Sequence, residues 1–232
     1  MSNIGFTEKN PKLFYDTNDF DFLNPIKDNF SLIKSELLEL ISHENEDQWL
    51  KTFPGYVKSE KEKAWKVFSF IFFNMKFPNH ANLCPKTAEL IYSIPQILSC
   101  DYSYLKPKTH VMPHKGYSKM VLRCHLPLII PNEELCGIRI ENETRHWKEG
   151  ELMIFDDSFN HEAWNNSTSH RVVLMFDIPN PLWGYTADEI SKYKIEQLDD
   201  PFLLQFATKE EWLAAYEQRK LPIEKINFRT ND

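Results

Sequence analysis

Glycine is scarce, six in 232 residues, and cysteine scarcer, four with no C-x-x-C spacing among them. The first shortage excludes collagen-like and low-complexity chains, and the second excludes the common zinc modules. No run approaches the roughly eighteen apolar residues of a membrane span, and the opening MSNIGFTEKN lacks the charged-then-apolar layout of a secretory signal. Positive charge is also short, with 27 Lys and Arg against 34 Asp and Glu for a net charge of -7. Such a surface is poorly suited to displacing counterions from nucleic-acid phosphates. These deficits predict a cytoplasmic protein without a nucleic-acid partner, in which Cys84, Cys100, Cys124 and Cys136 stay reduced and buried. The basic run KSEKEKAWK at 58–66, interleaved with glutamate, reads as a solvated face.

What is present is apolar and aromatic: 42% hydrophobic residues and 14% Phe, Trp and Tyr, enough for one well-buried domain over 1–232. FSLIKSELLELISH, 30–43, places Phe30, Ile33, Leu37, Leu40 and Ile41 on one helical face. The middle of AWKVFSFIFFNMKF, 64–77, suits a buried strand, and KTAELIYSI, 86–94, a helix stopped near Pro95. From 97 to 180 short apolar runs recur between turn residues: ILSCDYSYL, THVM, MVLRCHLPLII, LCGIRIEN, ELMIFD, HEAWN and RVVLMFDI. That spacing predicts a β core of antiparallel strands, a sandwich or barrel, supported by a helical and strand region over 12–96. A helical extension follows over 181–232, where Thr186 with Glu189 and Thr208 with Glu211 have capping-box spacing. The stretch from Pro222 onward reads as loose.

Among eight histidines, His114 precedes a predicted strand, and His161 lies in the polar stretch after the strand ELMIF. Two imidazoles meeting at the mouth of a β-barrel suit a divalent metal such as Fe(II), Zn(II) or Cu(II). Taken alone, each residue has a plainer reading. Gly116 suits a turn requiring positive φ, Arg123 an outward surface pair, and Asp156 and Asp157 a turn whose carboxylates cap backbone groups, in preference to a role as supporting or substitute ligands. Trp147 and Trp164 read as core or pocket wall.

Taken together, PKTAELI, LKPKTHVMPHKG, LRCHLPL, GIRIENETRHWKEGELMIFDDSFNHEAWN and RVVLMFDI resemble the aspartyl/asparaginyl β-hydroxylase family. The resemblance covers roughly residues 12–180. It implies a mainly β fold with flanking helices around a double-stranded β-helix (jelly-roll, cupin-like) core, and an oxygenase using Fe(II), 2-oxoglutarate and O2. It implies that His114 and His161 are the catalytic iron ligands and that Gly116 stands where related oxygenases carry a third, carboxylate ligand. It assigns Arg171 to the distal carboxylate of 2-oxoglutarate with help from Ser103, and Arg123 and His125 to the other end of the co-substrate.

The implied reaction is hydroxylation of an unactivated C–H bond in an amino-acid, peptide or acyl-lipid substrate, releasing succinate and CO2. Two alternatives stay open: a halogenase using the position where the carboxylate ligand is missing, and a non-catalytic metal- and 2-oxoglutarate-binding sensor. The family's animal members carry basic residues at the places of Asp101 and Val121. That departure weakens the case for an acidic peptide substrate and favours a cationic or polar one.

Overall fold

Period-two alternation organises the longest strands, with apolar side chains on the outer face and most of the buried polar ones on the inner. The computed structural model describes residues 11–43, 48–51, 57–58 and 64–221; the segment from Pro222 onward lies outside them. The elements run β1 (Phe14–Tyr15), α1 (Asn24–Asp28), α2 (Phe30–Ser42), β2 (Leu50–Lys51), β3 (Val57–Lys58), β4 (Trp65–Phe72) and β5 (Met75–Lys76). Next come α3 (Pro78–Leu83), α4 (Pro85–Tyr92), β6 (Ser99–Leu105), β7 (Thr109–His114), β8 (Val121–Ile129), β9 (Cys136–Ile140) and β10 (Glu143–His146). Then follow β11 (Met153–Phe155), β12 (His161–Asn165), β13 (Arg171–Pro179), α5 (Ala187–Glu196), α6 (Pro201–Leu204) and α7 (Lys209–Glu217).

An eight-stranded sheet, ordered β1-β11-β8-β13-β6-β4-β2 with β5 beside β4, faces a five-stranded one ordered β10-β9-β12-β7-β3. The paired strands are antiparallel throughout. This is the mainly β, double-stranded β-helix architecture with flanking helices.

The outer face of the large sheet presents Phe68, Phe70, Tyr102, Leu122, Cys124, Leu126, Val172 and Leu174 to Ile33, Leu37 and Leu40 of α2 and to Ala88 and Ile91 of α4. The alternate residues therefore point between the sheets: Ser69, Asp101, Ser103, Arg123, His125, Arg171 and Asp177. Register aligns them in rows. Ser69, Asp101, Met175 and His125 are successive neighbours across β4, β6, β13 and β8, while Ser99, Asp177 and Arg123 form the adjacent row. The sequence that builds the core thus also gathers the polar candidates on one inner surface.

Two local expectations change, and two elements carry no local signal. Lys66, from the run read as a solvated face, is buried over the rings of Trp49 and Tyr104, 4.9 and 4.4 Å from their centroids; residues 59–63 of that run lie outside the described residues. Its aliphatic stem and cation–π contacts make burial acceptable. β10 and α3 carry too few apolar residues to show a period. His114 ends β7 rather than preceding a strand, because the chain stays extended through Pro113. Both capping boxes form, at Thr186 with Glu189 and at Thr208 with Glu211. The four cysteines are buried, free thiols.

Candidate active site between the two sheets

His114 closes β7 and His161 opens β12, and the two are register partners, which brings their ring centroids to 4.2 Å. Each ring is oriented by its own backbone: His114 Nδ1 donates to Met112 O at 2.8 Å and His161 Nδ1 to Phe159 O at 3.0 Å. Nε2 is therefore the nitrogen each presents for coordination, and the backbone bond fixes the tautomer. Burial lowers the pKa of both imidazoles, that of His161 to about 4 with His114 adding to the effect, so both are neutral at neutral pH.

Gly116 does not have positive φ; among the described residues the positive-φ glycines are Gly150 and Gly184. What it needs is space. A Cβ there would lie 2.3 Å from Asp157 Cγ and from Asp157 Oδ1. The carboxyl of Asp157 occupies the volume that a side chain at 116 would fill, and Gly116 N donates to Asp157 O at 2.7 Å. The two aspartates read as one turn divide the work. Asp156 caps the turn, accepting from Ser158 N at 3.0 Å, whereas Asp157 is fully buried and meets Arg123 Nη1 at 3.2 Å. Burial pushes the Asp157 carboxyl upward against the pull of Arg123.

Arg123 is not an outward surface residue. Its Nε and Nη2 fork onto Asp177 at 2.9 and 3.1 Å, and Tyr117 Oη donates to the same carboxylate at 3.0 Å. Burial opposes its charge, but Asp157 and Asp177 hold the guanidinium protonated. Its donors are thus directed at two carboxylates beside the histidine pair.

Deeper between the sheets, Arg171 is 3% exposed, stacked 4.4 Å over the Trp147 ring, with Nη1 donating to Ser103 O at 3.4 Å. It makes no ion pair among the described residues, and burial lowers its pKa to about 10. His125 packs beside Trp147 and Phe155 at 5.7 and 4.9 Å. Burial first, then Arg171 and Arg123, drive its pKa well down. Arg171 Nε, Trp147 Nε1 and both His125 nitrogens are buried without hydrogen-bond partners among the described residues. Trp65 Nε1 donates to Ser103 Oγ at 3.0 Å. A buried cation with unsatisfied donors around it calls for an anionic acceptor, so a small dicarboxylate fits this end.

All six predicted site residues thus face one interior: His114, His161, Ser103, Arg123, His125 and Arg171. Asp177 is an addition, and Asp157, read chiefly as a turn residue, lies against Gly116, whose missing side chain marks where a partner must come close. Among the described residues no group of three or more His, Cys, Asp and Glu is arranged to hold a metal, which leaves the two histidines as the protein ligands on offer.

A model of the family described as aspartyl/asparaginyl beta-hydroxylase matches residues 27–181. The ornithine lipid ester-linked acyl 2-hydroxylase of Rhizobium tropici is 35% identical over 183 residues, covering 78% of this chain and 65% of that protein. The aspartyl/asparaginyl beta-hydroxylase of Homo sapiens is 34% identical over 172 residues, covering 72% of this chain and 22% of that protein. This chain therefore spans under two thirds of the first relative and about a fifth of the second. Among solved structures, a prolyl-4-hydroxylase from Pseudomonas putida has a TM-score of 0.45 at 13% identity, covering 65% of this chain and 87% of that one.

Proposed function

This chain belongs to the aspartyl/asparaginyl β-hydroxylase family, and we propose from that premise that it is an Fe(II)- and 2-oxoglutarate-dependent hydroxylase of an unactivated C–H bond. The observation that carries the reading is the neutral His114–His161 pair at 4.2 Å beside a buried arginine that makes no ion pair among the described residues. An Fe(II) ion bound by the two imidazoles would supply the redox chemistry by which O2 and 2-oxoglutarate become succinate, CO2 and one oxygen atom delivered to substrate.

The protein's own part is orientation, charge and exclusion of water. Arg171 would fork onto the distal carboxylate of 2-oxoglutarate, as its planar guanidinium suits. Trp147 walls it from solvent, and Ser103 supplies a hydroxyl beside it. His125, neutral and without protein partners at either nitrogen, is able to donate to or accept from the other end of the co-substrate. Arg123 holds Asp157 beside Gly116 while itself anchored on Asp177.

The same placement bears on halide transfer. The position where a third protein ligand is missing faces the buried carboxyl of Asp157, a poor neighbour for a halide anion, and this favours hydroxylation. Substrate class, from the relatives' names, is an amino-acid side chain or an acyl chain.

The test is an oxygen-dependent mass screen of peptides, amino acids and acyl lipids for a gain of one oxygen, with succinate measured in parallel. The expected result is a substrate-stimulated succinate yield abolished in His161→Ala. Binding of 2-oxoglutarate without succinate across the panel would favour a sensor, and a chlorinated product would favour the halogenase.

A further inference from the structure

A cleft of about 530 Å³ opens beside His114 and Gly116 and extends away from Arg171 toward the C-terminal helices. Its far wall is aromatic and aliphatic: Phe72, Phe73, Phe202, Leu203, Phe206 and Trp212. Phe72 and Trp212 lie 5.8 Å apart, Phe202 and Phe206 5.2 Å. The Trp212 indole N–H is occupied by Leu203 O at 3.2 Å, so the ring offers only apolar surface. Residues 202–212 all lie beyond 181, where the family match ends. Four of the six wall residues therefore come from the part of the chain outside the matched family region, while Phe72 and Phe73 lie within it.

Polar groups line both ends of the cleft, Lys115, Gln197 and Asp199 among them, and several are occupied. Arg123 is committed to Asp157 and Asp177, Lys194 Nζ donates to Tyr117 O at 2.7 Å, and Asp200 caps α6 through Phe202 N at 2.8 Å. Asp101 is different. Its carboxyl, partly buried on the cleft wall, accepts from Ser69 Oγ and makes no ion pair among the described residues. Its support is rigid: the Ser69 carbonyl accepts from His80 Nδ1 at 2.8 Å, and the His80 ring is stacked 3.9 Å from both Phe68 and Phe77. By register Asp101 lies in the row of His125, one row from the Asp177–Arg123 pair, and it lines the cleft together with His114.

We infer that this cleft binds an unbranched acyl or alkyl chain, with its tail against α6 and α7 and a hydrogen-bond-donating nitrogen near its reacting end held by Asp101. The inference rests on the hydroxylase reading for its chemistry and narrows that reading to one substrate class. An extended peptide would set a backbone N–H and C=O against the apolar wall about every 3.5 Å, each losing its hydrogen bonds to water. A hydrocarbon tail loses nothing there and gains by leaving water. A free fatty carboxylate would face Asp101 with like charge, whereas an ammonium or amide N–H would complete the carboxylate's acceptor capacity. Burial pushes the Asp101 carboxyl up to about 7, an effect a bound cation would reverse.

The test uses metal-free full-length protein, with dodecylamine, dodecanoate and hexylamine titrated calorimetrically below their micellar concentrations. Wild type should bind dodecylamine at least about tenfold more tightly than dodecanoate, the range of one charge-assisted hydrogen bond. Asp101→Asn should bring that ratio to within about twofold or threefold. Leu203→Trp and Phe206→Trp should weaken dodecylamine about tenfold while leaving hexylamine within about twofold. Dodecanoate binding as well as dodecylamine, an unchanged ratio in Asp101→Asn, or no binding of either long chain would each overturn the inference. Should Asp101→Asn fail to fold, Asp101→Ser, which also removes the carboxylate, replaces it with the same expected loss of preference. Succinate release is scored separately: its absence with alkylamine binding intact counts against the hydroxylase reading, and its presence without alkylamine binding counts against this one.

Discussion

The two ends of the space between the sheets are built from the same alternating strands yet differ in how their polar groups are satisfied. At the deep end, Arg171, His125 and Trp147 are packed among aromatic rings with nitrogens that have no protein partners. At the mouth, Arg123 and Tyr117 both donate to Asp177 and Arg123 also pairs with Asp157, whose carboxylate oxygens otherwise have no hydrogen-bond partner among the described residues, and the remaining wall mixes apolar rings with a few polar side chains. The difference separates two tasks. On the proposed reading, a small anionic co-substrate would be met by donors held ready for it, and the substrate by the charged groups of the mouth and a wall of C-terminal helices. Between the ends lie the two histidines, oriented by backbone carbonyls.

Replacing a group at the deep end should have the larger effect. Arg171→Met should weaken 2-oxoglutarate by about 3 kcal/mol, roughly a hundredfold or more, measured by calorimetry. The same variant should melt no lower than wild type without ligand, since it removes a buried charge that makes no ion pair among the described residues. A lower melting temperature would show that the arginine has a structural role instead.

Behind the mouth, His80 sets an acid limit. Its folded pKa of about 4 lies below the ordinary 6.5, because burial disfavours the charged ring. Above pH 6.5 both folded and unfolded forms are neutral and no penalty applies. As pH falls from 6.5 toward 4 the unfolded chain takes the proton first, and stability declines by about 3 kcal/mol over that window. Urea unfolding at pH 7 and pH 4.5 should therefore reveal a steeper decline in wild type than in His80→Gln.

At the junction, Gly116→Ala forces the Asp157 carboxyl to move. It should cost about 1–3 kcal/mol of stability as an overpacked position and reduce succinate release, while leaving 2-oxoglutarate binding to Arg171 within about threefold. The smallest expected effect is at the mouth's outer frame. Thr208→Ala removes the cap of α7 and should cost about 1 kcal/mol by thermal melting, with no change in co-substrate affinity.

Much of this was legible in the sequence where physics leaves a local mark. The alternation of MVLRCHLPLII and RVVLMFDI identified strands, and two capping boxes marked α5 and α7. HEAWN coincided with β12 because its ends are set by a turn and by the pairing of His161. The resemblance supplied six inward-facing residues that period-two geometry then places on one interior.

Other features depended on distant contacts. Asp157 reads as a turn residue from its neighbours Asp156 and Ser158, and only the approach of Gly116 across the fold shows that its carboxyl fills a missing side chain's space. Lys66 lies in a charged run, and its burial depends on Trp49 and Tyr104, which are remote in sequence. The apolar cleft wall escaped notice because Phe202, Phe206 and Trp212 form it with Phe72 from a strand over a hundred residues earlier.

The most direct measurement is an anaerobic titration of Fe(II) followed by 2-oxoglutarate, monitored by the visible charge-transfer absorption that such a complex gives and by calorimetry. Wild type should bind one iron and one 2-oxoglutarate per chain. His114→Ala and His161→Ala should lose more iron affinity than the roughly 10–100-fold expected from loss of a supporting contact, and Arg171→Met should retain iron but not the co-substrate. Iron binding unchanged in both histidine variants would contradict the site assigned here.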